Sequence, residues 1–137
     1  MGVVEQLIRK EDNGSLSFGN YLLDQKTKKS DFEYEGDLYK VKTFNEITKL
    51  EKNGLFVYES VPGSTVTDFV NDGKDVSFSV EAAQDISFTL ELEPSQDYKV
   101  WLDDTKLGTM KTNLGGKLNV SIELDEGKKA AIKVSKC

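Results

Sequence analysis

The stretch Ile86-Ser87-Phe88-Thr89-Leu90-Glu91-Leu92-Glu93 decides the fold. Apolar and polar side chains alternate through it with a period of two. Successive side chains of an extended strand point to opposite faces. The pattern therefore sets Ile86, Phe88, Leu90 and Leu92 against a core and leaves the Ser, Thr and Glu side chains in water. The same alternation returns at Val76/Phe78/Val80, at Leu118/Val120/Ile122/Leu124 and at Ile132/Val134. Antiparallel sheets with one solvated face carry this signature.

Turn chemistry falls between these runs, at Asn71-Asp72-Gly73, Glu93-Pro94-Ser95, Asp103-Asp104, Gly115-Gly116 and Asp125-Glu126-Gly127. With 65–70, 98–102 and 107–112 added, about seven short strands are predicted after residue 63, the spacing of an immunoglobulin-like sandwich. The fold class is all-β, an antiparallel β-sandwich of immunoglobulin-like or jelly-roll-like type. Before residue 63 the pattern is weaker. Phe32–Tyr34 and Leu38–Val41 flank Glu35-Gly36-Asp37 and read as a hairpin, and Leu55–Tyr58 reads as a strand. Leu16–Phe18 and Tyr21–Leu23 are expected to be strands, and 24–30 a polar loop. Residues 44–53 read either as a short helix ending at Asn53-Gly54 or, preferably, as a strand turning there into a hairpin. Val61-Pro62-Gly63-Ser64 interrupts any ladder, because Pro lacks the backbone donor. It divides an N-terminal β unit (1–62) from the sandwich (63–137), unless both belong to one larger sandwich.

The 137 residues are 37% hydrophobic and carry a net charge of −6. Residues 1–60 hold 9 basic and 11 acidic side chains, and 61–137 hold 9 and 13. No basic run exceeds Lys28-Lys29 or Lys128-Lys129, which argues against nucleic acid and against an anionic membrane as partners. No apolar stretch is long enough to span a bilayer, and the N-terminal residues form no signal h-region. The single cysteine, Cys137, has no internal disulfide partner. A cytoplasmic setting is expected.

The chain has no histidine, which removes Ser-His-Asp and Cys-His nucleophile systems and most zinc or iron sites. No Gly-rich phosphate loop is present: Gly115-Gly116-Lys117 lies between two strands and reads as a turn. Glu91/Glu93 and Glu33/Glu35 read as solvated sheet faces, not as a glycosidase pair. Asn71, Asp72 and Asp75 lack the long calcium-loop spacing, so a hairpin turn accounts for them, as it does for Asp103-Asp104. No catalytic residue, metal or cofactor is expected.

Two binding clues remain. Tyr98, Val100 and Leu102 face the core, which sends Trp101 to the opposite face between Lys99 and Asp103. An outward indole calls for a cover, and the N-terminal unit is the expected one; a subunit or a sugar ring are the alternatives. Tyr39, Phe56 and Tyr58 form either an aromatic platform or, more in keeping with their spacing, part of the core.

The pieces Gly19-Asn20-Tyr21, Asp31-Phe32-Glu33, Gly36–Thr43, Glu46–Leu50, Tyr58–Gly63 and Thr112–Leu118 together resemble a family of small uncharacterised all-β proteins of Gram-positive anaerobes. Some members are labelled endosialidase. That label implies a cluster of arginines gripping the sugar carboxylate. This chain has one arginine, Arg9, and no S-x-D-x-G-x-x-W repeat, so no catalytic residue carries over. Residues 98–134, with Tyr98-x-Val100-x-Leu102-Asp103-Asp104, Gly115-Gly116-Lys117-Leu118 and Gly127-Lys128-Lys129, are similar to the accessory sandwiches that trail bacterial carbohydrate-active enzymes. The expected function is thus a non-catalytic interaction or structural module that pairs with an unknown protein or with itself. The alternative is a carbohydrate-binding module or a divergent endosialidase-like protein.

Overall fold

The computed structural model describes residues 3–137, and they form strands and turns with no helix. In chain order the first strands are β1 (Ile8–Lys10), β2 (Leu16–Phe18), β3 (Thr27–Tyr34), β4 (Asp37–Thr43), β5 (Thr48–Lys52) and β6 (Leu55–Val61). Then come β7 (Thr65–Asn71), β8 (Asp75–Glu81), β9 (Ile86–Glu91), β10 (Asp97–Leu102), β11 (Thr105–Lys111), β12 (Lys117–Ile122) and β13 (Lys129–Lys136). They build two antiparallel sheets, one ordered β1-β2-β7-β8-β13-β10-β11 and the other β12-β9-β6-β5-β4-β3. The sheets pack as a sandwich around one core, in which Phe18, Val66, Phe78, Val100 and Val134 meet Val41, Leu50, Tyr58, Phe88 and Val120. Tyr58 links the two layers. It stacks on Phe88 at 6.1 Å and meets Phe18 and Phe78 edge-on at 5.4 and 5.9 Å.

The seven strands expected after residue 63 are all present. Asn53 and Gly54, at φ 51° and 80°, make the two-residue turn from β5 to β6 that the preferred reading anticipated. The alternative helix over 44–53 does not form; Phe44–Glu46 is a bend closed by the Phe44 N–H donating to Ile47 O at 3.0 Å. Two other expectations need correction. Tyr21–Leu23 is not a strand but starts with a turn. The polar run 24–30 is not all loop, because β3 begins at Thr27 and its first residues pair with β4. As the outermost strand of its sheet, β3 buries little and needs no apolar alternation.

Val61–Ser64 does not separate two ladders. β2 pairs with β7, and β6 pairs with β9, so both sheets take strands from either side of it. It is the crossing from one sheet to the other. There the backbone of Ser64 leaves the ladder and is satisfied by the Thr48 side chain. Thr48 Oγ1 donates to Ser64 O at 2.8 Å and accepts the Ser64 N–H at 3.0 Å. Thr43 Oγ1 lies 2.8 Å from Thr48 Oγ1 and accepts the Asn20 N–H at 2.9 Å. On the other side Ser64 Oγ lies 2.8 Å from Tyr58 Oη and 2.6 Å from Ser60 Oγ. All of these hydroxyls are buried. A Cβ on Gly63 would collide with the Phe44 carbonyl oxygen, so no other residue fits there. Close by, Tyr21 Oη donates to the buried Glu81 carboxylate at 2.8 Å.

Thr48→Val keeps the shape and removes the hydroxyl, leaving the Ser64 N–H and C=O without partners. It is expected to cost about 2–3 kcal/mol in urea unfolding, whereas Ser121→Ala on the wet face of β12 should stay within about 0.5 kcal/mol. Equal effects would refute the role given to Thr48. Burial also pushes the Tyr58 phenol from its ordinary 10.0 up to about 12, against the pull of its Ser64 and Ser60 hydrogen bonds. A phenol with a raised folded value contributes stability that is complete below the unfolded value and lost as pH climbs through the folded one. Stability is therefore expected to hold to about pH 9.5 and to lose on the order of 3 kcal/mol from Tyr58 by pH 12. Tyr21, Tyr34 and Tyr39, also raised chiefly by burial, act in the same direction. Absorbance at the phenolate band should then rise together with loss of structure; normal titration of every tyrosine in the folded protein would contradict this.

Candidate functional site

β10 carries Tyr98 and Val100 inward, both buried, and turns Trp101 outward. Register places Trp101 beside Lys133 of β13 and Lys106 of β11, and Lys133 in turn beside Ser77 of β8. These side chains form one cross-strand row on the outer face of the seven-stranded sheet. Lys133 Nζ stands 5.7 Å from the centre of the indole, a cation–π contact. The face is hollowed there. A concavity of about 470 Å³ is lined by Trp101, Lys133, Ser77, Ser79, Asp68 and Asp104, with the backbone of β13 between. It spans four strands, about 14 Å at the usual strand spacing.

The expected cover over Trp101 is absent from this fold. The N-terminal residues add β1 and β2 to the far edge of the same sheet and β3–β6 to the other sheet, so neither group layers over the indole. The ring stays partly exposed.

The remaining candidate residues scatter. Lys99 lies exposed on the same face, two residues along β10, but does not line the hollow. Asp103 turns the chain at φ 47° and accepts the Ala131 N–H at 2.8 Å, which makes it a turn residue. Its neighbour Asp104 lines the hollow instead. Tyr58 is wholly buried and Tyr39 nearly so, so these two belong to the core. Phe56 parts from them. β6 bulges at Val57, so Phe56 pairs with Glu51 on the outer face. There Lys117 Nζ lies 4.8 Å from the ring centre and pairs with Glu91. Tyr39 and Phe56 meet only at a second concavity of about 460 Å³ at the hairpin end, with Leu55, Lys52 and Phe69. No aromatic platform of three rings exists.

Asp68 is the residue that the periodicity did not single out. It sits at φ 55° in a bulge of β7, where Asp68 and Phe69 together oppose Phe78. Ser17 Oγ accepts its N–H at 3.1 Å and donates to Glu11, whose carboxyl is held low first by that hydrogen bond and then by Arg9. Ser15 Oγ lies 3.1 Å from Asp68 Oδ1. The signal was present: Val66 and Phe69, both apolar, are three apart in a strand, which requires an extra residue. At Asn71-Asp72-Gly73, the Asp72 carboxylate accepts the Lys74 and Asp75 N–H groups at 2.9 and 2.7 Å, and these bonds hold its pKa low. Among the described residues no three metal-ligating side chains converge, and no helix is long and apolar enough to cross a membrane.

The geometry offers a flat-to-concave binding surface: an apolar ring, ammonium groups on both sides of it, two carboxylates and two serine hydroxyls at its margins. No family model, curated protein or solved structure matches this chain.

Proposed function

We propose that the chain is a non-catalytic interaction module that works through the outer face of its seven-stranded sheet, with Trp101 as the main contact. The observation that carries this reading is the partly exposed indole in an open hollow with no protein layer above it. The part of a large ring that stays in water is a favourable contact for a partner, and Trp buried on association dominates the energetics of many interfaces. The carboxylates beside it, Asp68 and Asp104, are exposed, outside the sheltered setting that acid–base catalysis needs. The absence of histidine from the sequence supports the same conclusion. A second copy of the chain is one candidate partner, since β11 and β12 end their sheets with free edges. A cytoplasmic setting fits the lone exposed thiol of Cys137.

A second reading is glycan binding. An apolar ring flanked by carboxylates and hydroxyls is what a pyranose needs: the ring stacks on C–H groups while polar side chains take the hydroxyls. The family resemblance points the same way.

Trp101 is the chain's one tryptophan, so its emission reports this face alone. The emission is expected to shift to shorter wavelength, saturably, either as protein concentration rises or as an oligosaccharide is added. Trp101→Ala should weaken the association about tenfold or more while changing unfolding free energy by less than about 1 kcal/mol. Light scattering distinguishes the two occupants. Emission indifferent to concentration and to neutral and sialylated glycans alike would overturn the proposal.

A further inference from the structure

The other sheet presents a different chemistry. On the outer face of β3, β4 and β5, Lys28, Lys42 and Lys49 are direct cross-strand partners in one row. Lys40 precedes Lys42 on the same face of β4, and Lys26 enters from the loop before β3, close enough to act electrostatically on Lys42. Strand geometry sets the row about 10 Å wide and the Lys40–Lys42 repeat about 7 Å long. Like charges directly opposite one another destabilise a sheet. The repulsion is felt: desolvation first, and then the field of Lys26, Lys28, Lys49 and Lys40, lowers the pKa of Lys42.

Among these five the ion pair is that of Lys49 with Glu51 at 3.6 Å; Glu51 is also the cross-strand partner of Lys40, and Glu59 of β6 that of Lys49. Among the described residues Lys26, Lys28, Lys40 and Lys42 form no ion pair. Five lysines therefore share one face of an acidic protein. The other 13 basic side chains, set against 24 acidic ones, give the rest of the chain a net charge of −11. Unbroken basic runs are absent because a strand spreads a basic face over alternate positions, as in Lys26-Thr27-Lys28 and Lys40-Val41-Lys42.

We infer that the outer face of β3, β4 and β5 is a docking surface for an extended acidic segment of a partner polypeptide. The dip between Lys40, Lys42, Lys49 and Glu51 is only about 60 Å³, too small for a compact ligand but compatible with a chain laid across it. An extended peptide with acids at alternate positions repeats its carboxylates every 7 Å or so, the repeat of the lysines along β4. The dip has no aromatic ring on which a nucleic-acid base could stack. The negative remainder of the molecule repels a phosphate-dense duplex or an anionic bilayer.

The test is fluorescence anisotropy of a labelled peptide of alternating Glu and Ser at low ionic strength. Saturable binding is expected, weakening steeply with added salt. The pair Lys28→Glu/Lys42→Glu should lose about tenfold or more in affinity. The pair Lys74→Glu/Lys128→Glu, with the same change in net charge but on distant turns, should stay within about twofold. The thermal midpoint of the first pair should be no lower than that of the parent, since a carboxylate at position 42 attracts Lys49, Lys40 and Lys26 and offsets the like-charge contact that persists between positions 28 and 42. If it is lower, Lys28→Gln/Lys42→Gln replaces it and should lose several-fold. Trp101 emission should not respond to the peptide, because that residue lies on the other sheet. Three results would each overturn the assignment: no saturable binding, equal loss in both charge-reversed pairs, or tighter Lys28- and Lys42-dependent binding of a labelled oligothymidylate or a heparin oligosaccharide than of the peptide.

Discussion

The double hydrogen bond between the Thr48 hydroxyl and the backbone of Ser64 is the constraint on which the architecture rests. Where a chain leaves one sheet for the other, its backbone groups lose their ladder partners inside the core, and an orphaned pair there is costly. One hydroxyl, acting as acceptor and donor at once, satisfies both groups. Thr43, Ser60 and Tyr58 surround it, and the tight passage of Gly63 under the Phe44 carbonyl fixes the path. The crossing puts β6 beside β9 and β7 beside β2, so each layer of the one sandwich takes strands from both halves of the chain. Every described N-terminal strand widens a sheet, and none of them layers over an outer face.

How much of this was legible follows from where periodicity survives. Most strands after residue 63 keep the alternation, β7 with its bulge at Asp68 being an exception, and all seven are present, as is the Asn53-Gly54 hairpin. The interruption at Pro62-Gly63 was visible too, but a ladder that stops looks the same whether a domain ends or the chain changes sheets. The Thr48 side chain that tells these apart lies more than a dozen residues away. The orientation of Trp101 was legible because β10 has no irregularity against β13. That of Phe56 was not, because the extra residue at Val57 reverses the phase of the strand. The first half of β3 escaped notice, although Phe32–Tyr34 did not, because an edge strand with an exposed face gains its order from β4, not from its own apolar side chains. Gly19-Asn20-Tyr21, Thr43, Thr48 and Tyr58–Gly63 converge on the crossing, where they supply hydrogen bonds and close backbone packing.

The two outer faces differ because charge was distributed by strand. On the seven-stranded sheet, the row through β11, β10, β13 and β8 mixes an indole with separated lysines and a serine, and nearby carboxylates moderate the field. On the six-stranded sheet, three adjacent strands place lysine at one register position. The first arrangement favours contact through area and shape, the second through charge. A β-sandwich permits both, since its core is filled from the inner faces and the outer residues are free to vary.

The face of the seven-stranded sheet around Trp101 is uncovered by other strands. Steady-state quenching of its emission by iodide and by caesium measures both exposure and local charge. A partly exposed indole with Lys133 at 5.7 Å is expected to be quenched by both ions, and more by the anion than by the cation. An indole shielded from both ions at concentrations where the chain is monomeric would contradict an uncovered binding face.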